Sequence, residues 1–174
     1  MNGKIIITGT TCTGKTTLGK KLSDHFSVPQ IDLDEYYFLP NWKEKEKPTF
    51  IKEVLLAIEG KEKWIVTGNF QSILKDTLWV EATTVIWLDY NLFVILRRYF
   101  TRTFRRVFFE EKCCGDNYET WRRTFSKDSL FWWIFKSYWK RKIRMKTWTR
   151  VKFPEKEWII FNNPRETNKY VNTL

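Results

Sequence analysis

The stretch Lys4–Leu22, KIIITGTTCTGKTTLGKKL, constrains this chain more than any other. Lys4–Thr8 is a short run rich in β-branched residues and stopped by Gly9, which predicts a buried strand. Leu18, Leu22 and Phe26 then recur at helical spacing. Between the two lie Gly9, Thr10, Thr11, Cys12, Thr13, Gly14, Lys15 and Thr16, which satisfy G-x-x-x-x-G-K-[ST] in full. Such a loop turns its backbone N–H groups inward around phosphates, and the helix behind it adds its positive end. Lys15 then reaches the terminal phosphates as a point charge, and the Thr16 hydroxyl is placed to ligate Mg²⁺. Cys12 has two readings: a small residue that fits, or a thiol made acidic by the surrounding N–H groups.

The rest of the chain repeats the strand–helix alternation. PQIDLD, KWIVTG, TTVIWLD and EWIIF read as further strands, and PTFIKEVLLAIEG as an amphipathic helix with Pro48 at its start and Gly60 past its end. NPRETNKYVNTL closes the chain as a short helix. Alternation of this kind predicts an α/β fold with a parallel sheet, whose ligands sit beyond the carboxyl ends of the strands. The residues that stand out fall there: Gly9–Thr16, then Asp32 and Asp34, then Gly68, Asn69 and Phe70, then Asp89. With 174 residues the chain is read as one domain, residues 1–174.

Asp32 and Asp34 stand two apart at the end of the second predicted strand, where both carboxylates would face one cleft. One would hold Mg²⁺ through water, and the other would orient or deprotonate an acceptor hydroxyl. A helix cap plus a solvated acid is the plainer alternative. EYYFLPNW follows, with Tyr36, Tyr37, Phe38 and Trp42 available to stack on a ring or to cover the sheet edge. In VTGNF, Gly68 would let backbone approach a ligand and Asn69 would hydrogen-bond it. The acceptor-binding segment is placed at about residues 34–62.

Net charge is +11, and its distribution matters more than its size. Asn91–Lys152 holds 17 Lys or Arg against 5 Asp or Glu, a local net of +12, so the remainder is near neutral. A block of this kind predicts an anionic partner or a solvated basic face. In FVILRRYFTRTFRRVFF, Arg98, Arg102 and Arg105 align on one helical face, with Arg106 beside them. Phosphoryl transfer needs positive charge around the moving group, so residues 91–153 are read as a helical basic lid. Later in the same segment, WRRTFSKDSLFWWIFKSYWKRKIRMKTW mixes Trp and Phe with Lys and Arg. It fits either a helix packed on the body or a nucleic-acid surface.

Three cysteines without framework spacing, Cys12, Cys113 and Cys114, argue against a disulfide scaffold and suit a reducing, cytoplasmic setting. No signal peptide is visible. The longest apolar run, LFWWIF, is too short to span a bilayer, so no membrane partner is expected.

Taken together, GTTCTGKTT, IDLDEYYFLPNW, KWIVTGNF, TTVIWLDYNLFVILRRYFTRTFRR and IIFNNPRETNKYV resemble small bacterial P-loop kinase-like proteins of the FlaR or DNA topology modulation type. These are relatives of adenylate and shikimate kinases. The resemblance covers nearly the whole chain. It implies a P-loop NTPase fold of the nucleoside- or shikimate-kinase kind, with five parallel strands in the order 2-3-1-4-5 flanked by helices. It also implies ATP and Mg²⁺ as cofactors. Carried over, Gly9 to Thr17 hold the phosphates, Asp32 joins Thr16 at the metal, and Asp34 meets the acceptor. Trp42, Gly68, Asn69 and Phe70 fall along the acceptor cleft, with Arg98, Arg102, Arg105 and Arg106 on the lid side.

Two departures stand out. The third strand ends in Thr67 where adenylate kinases carry an Asp, which shifts the metal to Asp32. No Arg occurs before Tyr90, where mononucleotide kinases clamp the acceptor phosphate, and only Lys43, Lys45, Lys47 and Lys52 stand in its place. The leading expectation is an ATP-dependent kinase of a small molecule, nucleotides and nucleosides included. The alternative is a nucleic-acid-binding P-loop protein or polynucleotide kinase; a third is a nucleotide-gated interaction protein.

Overall fold

The computed structural model describes residues 3–114, 117–124, 126 and 129–174, without the side chains of Arg123 and Arg150. Five strands form one parallel sheet: β1 (Lys4–Gly9), β2 (Gln30–Asp32), β3 (Trp64–Thr67), β4 (Thr84–Leu88) and β5 (Glu157–Phe161). Their spatial order is β2-β3-β1-β4-β5, which is the expected one. Register is continuous across the centre, where Ile6 faces Val66 on one side and Val85 on the other.

Each strand splits its side chains between two apolar layers, as a sheet buried on both faces requires. Ile6, Val66, Val85 and Trp87 point to one layer, closed by Phe50, Val54 and Ile58 of the helix Lys47–Ile58. Ile5, Ile7, Ile65 and Ile86 point to the other, closed by Leu18 and Leu22. We number the principal helices α1 (Lys15–Phe26), α2 (Leu33–Tyr37), α3 (Lys47–Ile58), α4 (Leu92–Phe108), α5 (Leu130–Thr147) and α6 (Pro164–Asn172). Residues of α1, α4 and α5 share the second layer, with Ile95, Tyr99, Ile134 and Tyr138 all buried in it.

The basic segment after β4 is not one continuous helix. It comprises α4, a two-residue antiparallel ladder (Lys112–Cys113 with Asn117–Tyr118), a short turn of helix at Trp121–Thr124, α5, and a wide helical turn at Trp148–Lys152. Helix α5 gives Ile134 and Tyr138 to one layer and Met145 to the other. Between them, Arg141 donates to the carbonyl of Gly9 at the end of β1, at 3.3 Å. The helix thus passes over the carboxyl edge of the sheet and roofs the strand ends.

Candidate active site

A cavity of about 1310 Å³ opens beyond the carboxyl ends of the strands. Its floor is the loop between β1 and α1. Gly14 stands before the first turn of α1 with φ +93°, a left-handed conformation that an L side chain resists, and a Cβ there would lie 3.2 Å from Arg98 Nη1. Glycine brings no side-chain acceptor to cap the helix, so its first N–H groups are left for an anion. Thr13 ties the loop by donating from Oγ1 to the carbonyl of Thr10 at 2.8 Å. Lys15 Nζ donates to the same carbonyl at 3.2 Å. Its side chain is buried, and that burial pushes the ammonium below its ordinary value, partly offset by the carboxylates of Asp34 and Asp32.

The metal-side expectation paired Thr16 with Asp32. Thr16 Oγ1 donates to Asp32 Oδ2 at 2.6 Å. The two hard oxygens therefore already sit together at the head of α1, a donor set that suits Mg²⁺ completed by phosphates and water. Among the described residues, no group of three or more His, Cys, Asp or Glu could hold a metal without such help. Thr67 is fully buried, and the described cavity lining does not include it.

Asp32 and Asp34 do not lie on one strand. Strand β2 stops at Asp32, and Asp34 falls in the first turn of α2. Asp32 Oδ1 accepts from the Asp34 backbone N at 3.2 Å, so a carboxylate cap starts the helix where alternation would have continued a strand. Both residues still line the cavity. The cap thus belongs to Asp32, while Asp34 is half-buried. Burial pushes its carboxyl above the ordinary carboxylate range, opposed by the positive charge of Lys15 and reinforced by Asp32.

Of the acceptor-side residues, Trp42, Asn69 and Phe70 line the cavity. Trp42 is held from below by Asn117, whose Oδ1 accepts from its backbone N at 2.7 Å. Asn69 Oδ1 accepts from Thr8 Oγ1 at 3.1 Å and from Gly9 N at 3.3 Å, so its carbonyl oxygen braces the phosphate loop. Phe70 packs on Tyr37 and Phe50. Gly68 differs from its expectation. Its φ is +149°, and a Cβ would come within 2.8 Å of the Leu33 side chain, so its bareness admits Leu33 of α2 and not a ligand. Of the aromatics of EYYFLPNW, Tyr36 and Tyr37 lie in α2, Phe38 in a small ladder of Phe38–Leu39 with Lys43–Glu44, and Trp42 in the helical turn Pro40–Trp42 that joins its two strands.

Helix α4 presents its arginines to the same cavity. Arg98 Nη1 donates to the carbonyl of Thr13 at 2.7 Å and its guanidinium lies 5.3 Å from the centre of the Tyr90 ring. Arg102 and Arg106 share one carboxylate, Glu119 Oε1, at 3.2 Å and 2.7 Å. Arg102 Nε is buried without a hydrogen-bond partner among the described residues. Arg105 is more exposed and pairs with Glu111 at 2.9 Å. The lack of early arginines therefore does not leave the cavity short of positive charge, because the later helices bring it back.

Two contributors escaped the sequence reading. Arg141 is the first, held down to about 10 by burial and by its neighbour Arg144, with Asp34 opposing. Its signal was its place on the buried face of α5, in the series Ile134, Tyr138, Arg141, Met145. Glu119 is the second. Asp89 lies after β4 as expected and pairs with Lys142 at 3.1 Å, tying α5 to the sheet. Cys12 is not an acidic thiol, since burial outweighs the nearby cations and pushes it up. Cys113 and Cys114 also face the cavity, and a hydrogen bond between their thiols lowers the first to about 7 and raises the second. All three cysteines are free.

No family model and no curated protein matches this sequence. Solved structures do match its shape. Shikimate kinase from Bacteroides thetaiotaomicron aligns with a TM-score of 0.53 at 18% identity, over 99% of this chain and 96% of that one. A gluconokinase from Sinorhizobium meliloti aligns with a TM-score of 0.57 at 14% identity, over 98% and 88%. Shikimate kinase from Aquifex aeolicus gives 0.54 at 17% identity, over 97% and 91%. The α/β architecture with its five-stranded parallel sheet is shared with these structures.

Proposed function

We propose that this chain is an ATP-dependent phosphotransferase acting on a small molecule. The observation that carries the reading is the meeting of Lys15, the Thr16–Asp32 pair and a half-buried Asp34 in one cavity, under arginines from α4 and α5. Proteins sharing the fold are a shikimate kinase and a gluconokinase, which agrees with a small acceptor.

In this reading the backbone N–H groups of Gly9–Thr17 and the start of α1 bind the phosphates, and Lys15 spans the terminal ones. Thr16 and Asp32 would hold Mg²⁺, which supplies charge neutralisation on the phosphate oxygens when bound. Asp34 accepts the proton of the acceptor hydroxyl as that oxygen attacks; its raised affinity for a proton suits the task. Arg98 and Arg141, each anchored on a loop carbonyl, stand ready to stabilise charge on the transferred group. Arg102 and Arg106 share one carboxylate, so a net positive charge remains toward an acceptor that carries an anionic group.

The test is a panel of hydroxy acids, sugars, nucleosides and nucleotides incubated with labelled ATP and Mg²⁺. One class should be phosphorylated, and Lys15→Ala should slow that transfer by roughly 10²- to 10³-fold. A fully active Lys15→Ala protein would refute the assignment of the site.

A further inference from the structure

Helix α4 has two working faces. Its arginine face lines the cavity, whereas Phe100, Phe104 and Phe108 recur along the opposite side. Phe104 is 55% exposed and Phe108 63%. Helix α5 repeats the arrangement, with Trp132, Phe135, Trp139 and Ile143 in an outward row; Trp139 is 63% exposed and Ile143 66%. The rows are continuous. Phe100 meets Phe131 at 5.9 Å between ring centres, and Phe131 meets Trp132 and Phe135 at 5.4 and 5.1 Å. An exposed apolar surface of this extent marks an interaction site.

Charge identifies the occupant. Helices α4 and α5 hold no Asp or Glu; of their eleven Lys or Arg, six line the cavity and Lys142 pairs with Asp89, which leaves Lys136, Lys140, Arg144 and Lys146 of α5 for the outer side. Lys136, Lys140 and Lys146 lie among the aromatics of α5, so a second copy would bring like charges together. A polynucleotide would use the aromatics as stacking platforms. Ile143, however, extends the row with an aliphatic group that offers a base nothing to stack on. Helices with Trp, Phe and aliphatic side chains on one side and Lys or Arg around them suit the boundary between headgroups and acyl chains.

We propose that the outer face of α4 and α5 docks on an anionic lipid bilayer surface, with the cavity on the other side of α4 left open. The expectation of no membrane partner rested on the length of LFWWIF, and interfacial binding requires no spanning length. Among the described residues no helix is long and apolar enough to cross a membrane. This proposal is independent of the phosphotransfer reading.

Flotation of the full chain with phosphatidylglycerol–phosphatidylcholine vesicles, against phosphatidylcholine alone, tests it. The chain should float with the anionic vesicles, less at high salt, and brominated lipid should quench its tryptophan emission. Trp132→Ser with Trp139→Ser, and separately Phe104→Ser with Phe108→Ser, should each weaken binding at least about tenfold. Lys136→Ala with Lys140→Ala should weaken it by about fivefold per charge. These exposed side chains lie outside the cavity lining, so folding, checked by circular dichroism, should be kept. Failure to bind anionic vesicles at low salt overturns the proposal. So does equal binding to neutral vesicles, or binding that survives loss of the aromatics. Capture of a single-stranded oligonucleotide without vesicle binding would assign the face to nucleic acid, and a stable dimer without vesicle binding would assign it to a second copy; either result overturns the proposal as well.

Discussion

Asp34 shows how one side chain couples stability to chemistry. Burial raises its carboxyl, so the folded chain keeps that proton to a higher pH than the unfolded chain does. The folded state then binds more protons over that range, and stability falls as pH rises through it. Asp34→Asn removes a desolvated charge. The variant should melt higher than the parent at neutral pH, with the gap narrowing as pH falls and closing only below about 4, where the unfolded carboxyl is protonated as well. On the proposed function, transfer should meanwhile drop by roughly 10²- to 10⁴-fold, since the group proposed to accept the proton is gone. Thermal melts across pH, read beside the labelled-ATP assay, check both arms. A variant less stable than its parent at neutral pH would contradict the burial argument. Lys15 is the complementary case. Its ammonium is depressed by burial, and phosphates would restore it, so nucleotide binding should take up protons at alkaline pH. Calorimetry in buffers of different ionisation heat would register that uptake.

Among the elements, the β1–α1 unit was legible because strand, glycine loop and helix are specified by adjacent residues. The five parallel strands followed from alternation, and their order from the family resemblance. The break between β2 and α2 did not, because Asp32 acts through its side chain as a cap, and residue spacing alone does not distinguish a cap from one more strand position. The arm was harder still. Its cavity-facing arginines were visible as a row, but their anchor, Glu119, lies 13 residues beyond Arg106 and across a ladder. That pairing is set by tertiary packing and has no periodic signal. Gly68 was misread for a similar reason: a bare glycine signals close approach without saying which group approaches.

The anchor carries its own prediction. Glu119 is 11% exposed and holds two guanidiniums at once. Glu119→Gln leaves both with a neutral partner. Stability should fall by on the order of 2 kcal/mol, the worth of hydrogen bonds to charged groups. ATP binding should change little, because the phosphate loop and Lys15 are untouched, whereas transfer should slow as Arg102 lets go of its position. Urea midpoints and nucleotide titrations separate the two effects. Equal loss of ATP affinity would mean that the pair supports the donor loop instead.

At the scale of the molecule, the arm and the sheet form one body. Helix α5 crosses the strand ends through Ile134, Tyr138 and Met145, and Trp148 and Phe153 then pack on Trp79 of the body. These contacts hold a segment of local charge +12 against a remainder that is near neutral. The surface repulsion within that segment opposes folding, and it is screened over a Debye length of about 10 Å at 0.1 M salt. Most of its arginines and lysines lack carboxylates nearby in sequence, so screening removes more repulsion than attraction. Sodium chloride should therefore raise the melting temperature by a few degrees between low and moderate ionic strength, on the order of 1 kcal/mol. Chloride is the informative anion, because sulfate or phosphate would also stabilise by occupying the loop at Gly9–Thr16. The Lys15→Ala protein separates the two effects: its response to sulfate should shrink while its response to chloride persists. A melting temperature that falls with chloride would mean that the ion pairs Arg106–Glu119 and Lys142–Asp89 outweigh the repulsion around them.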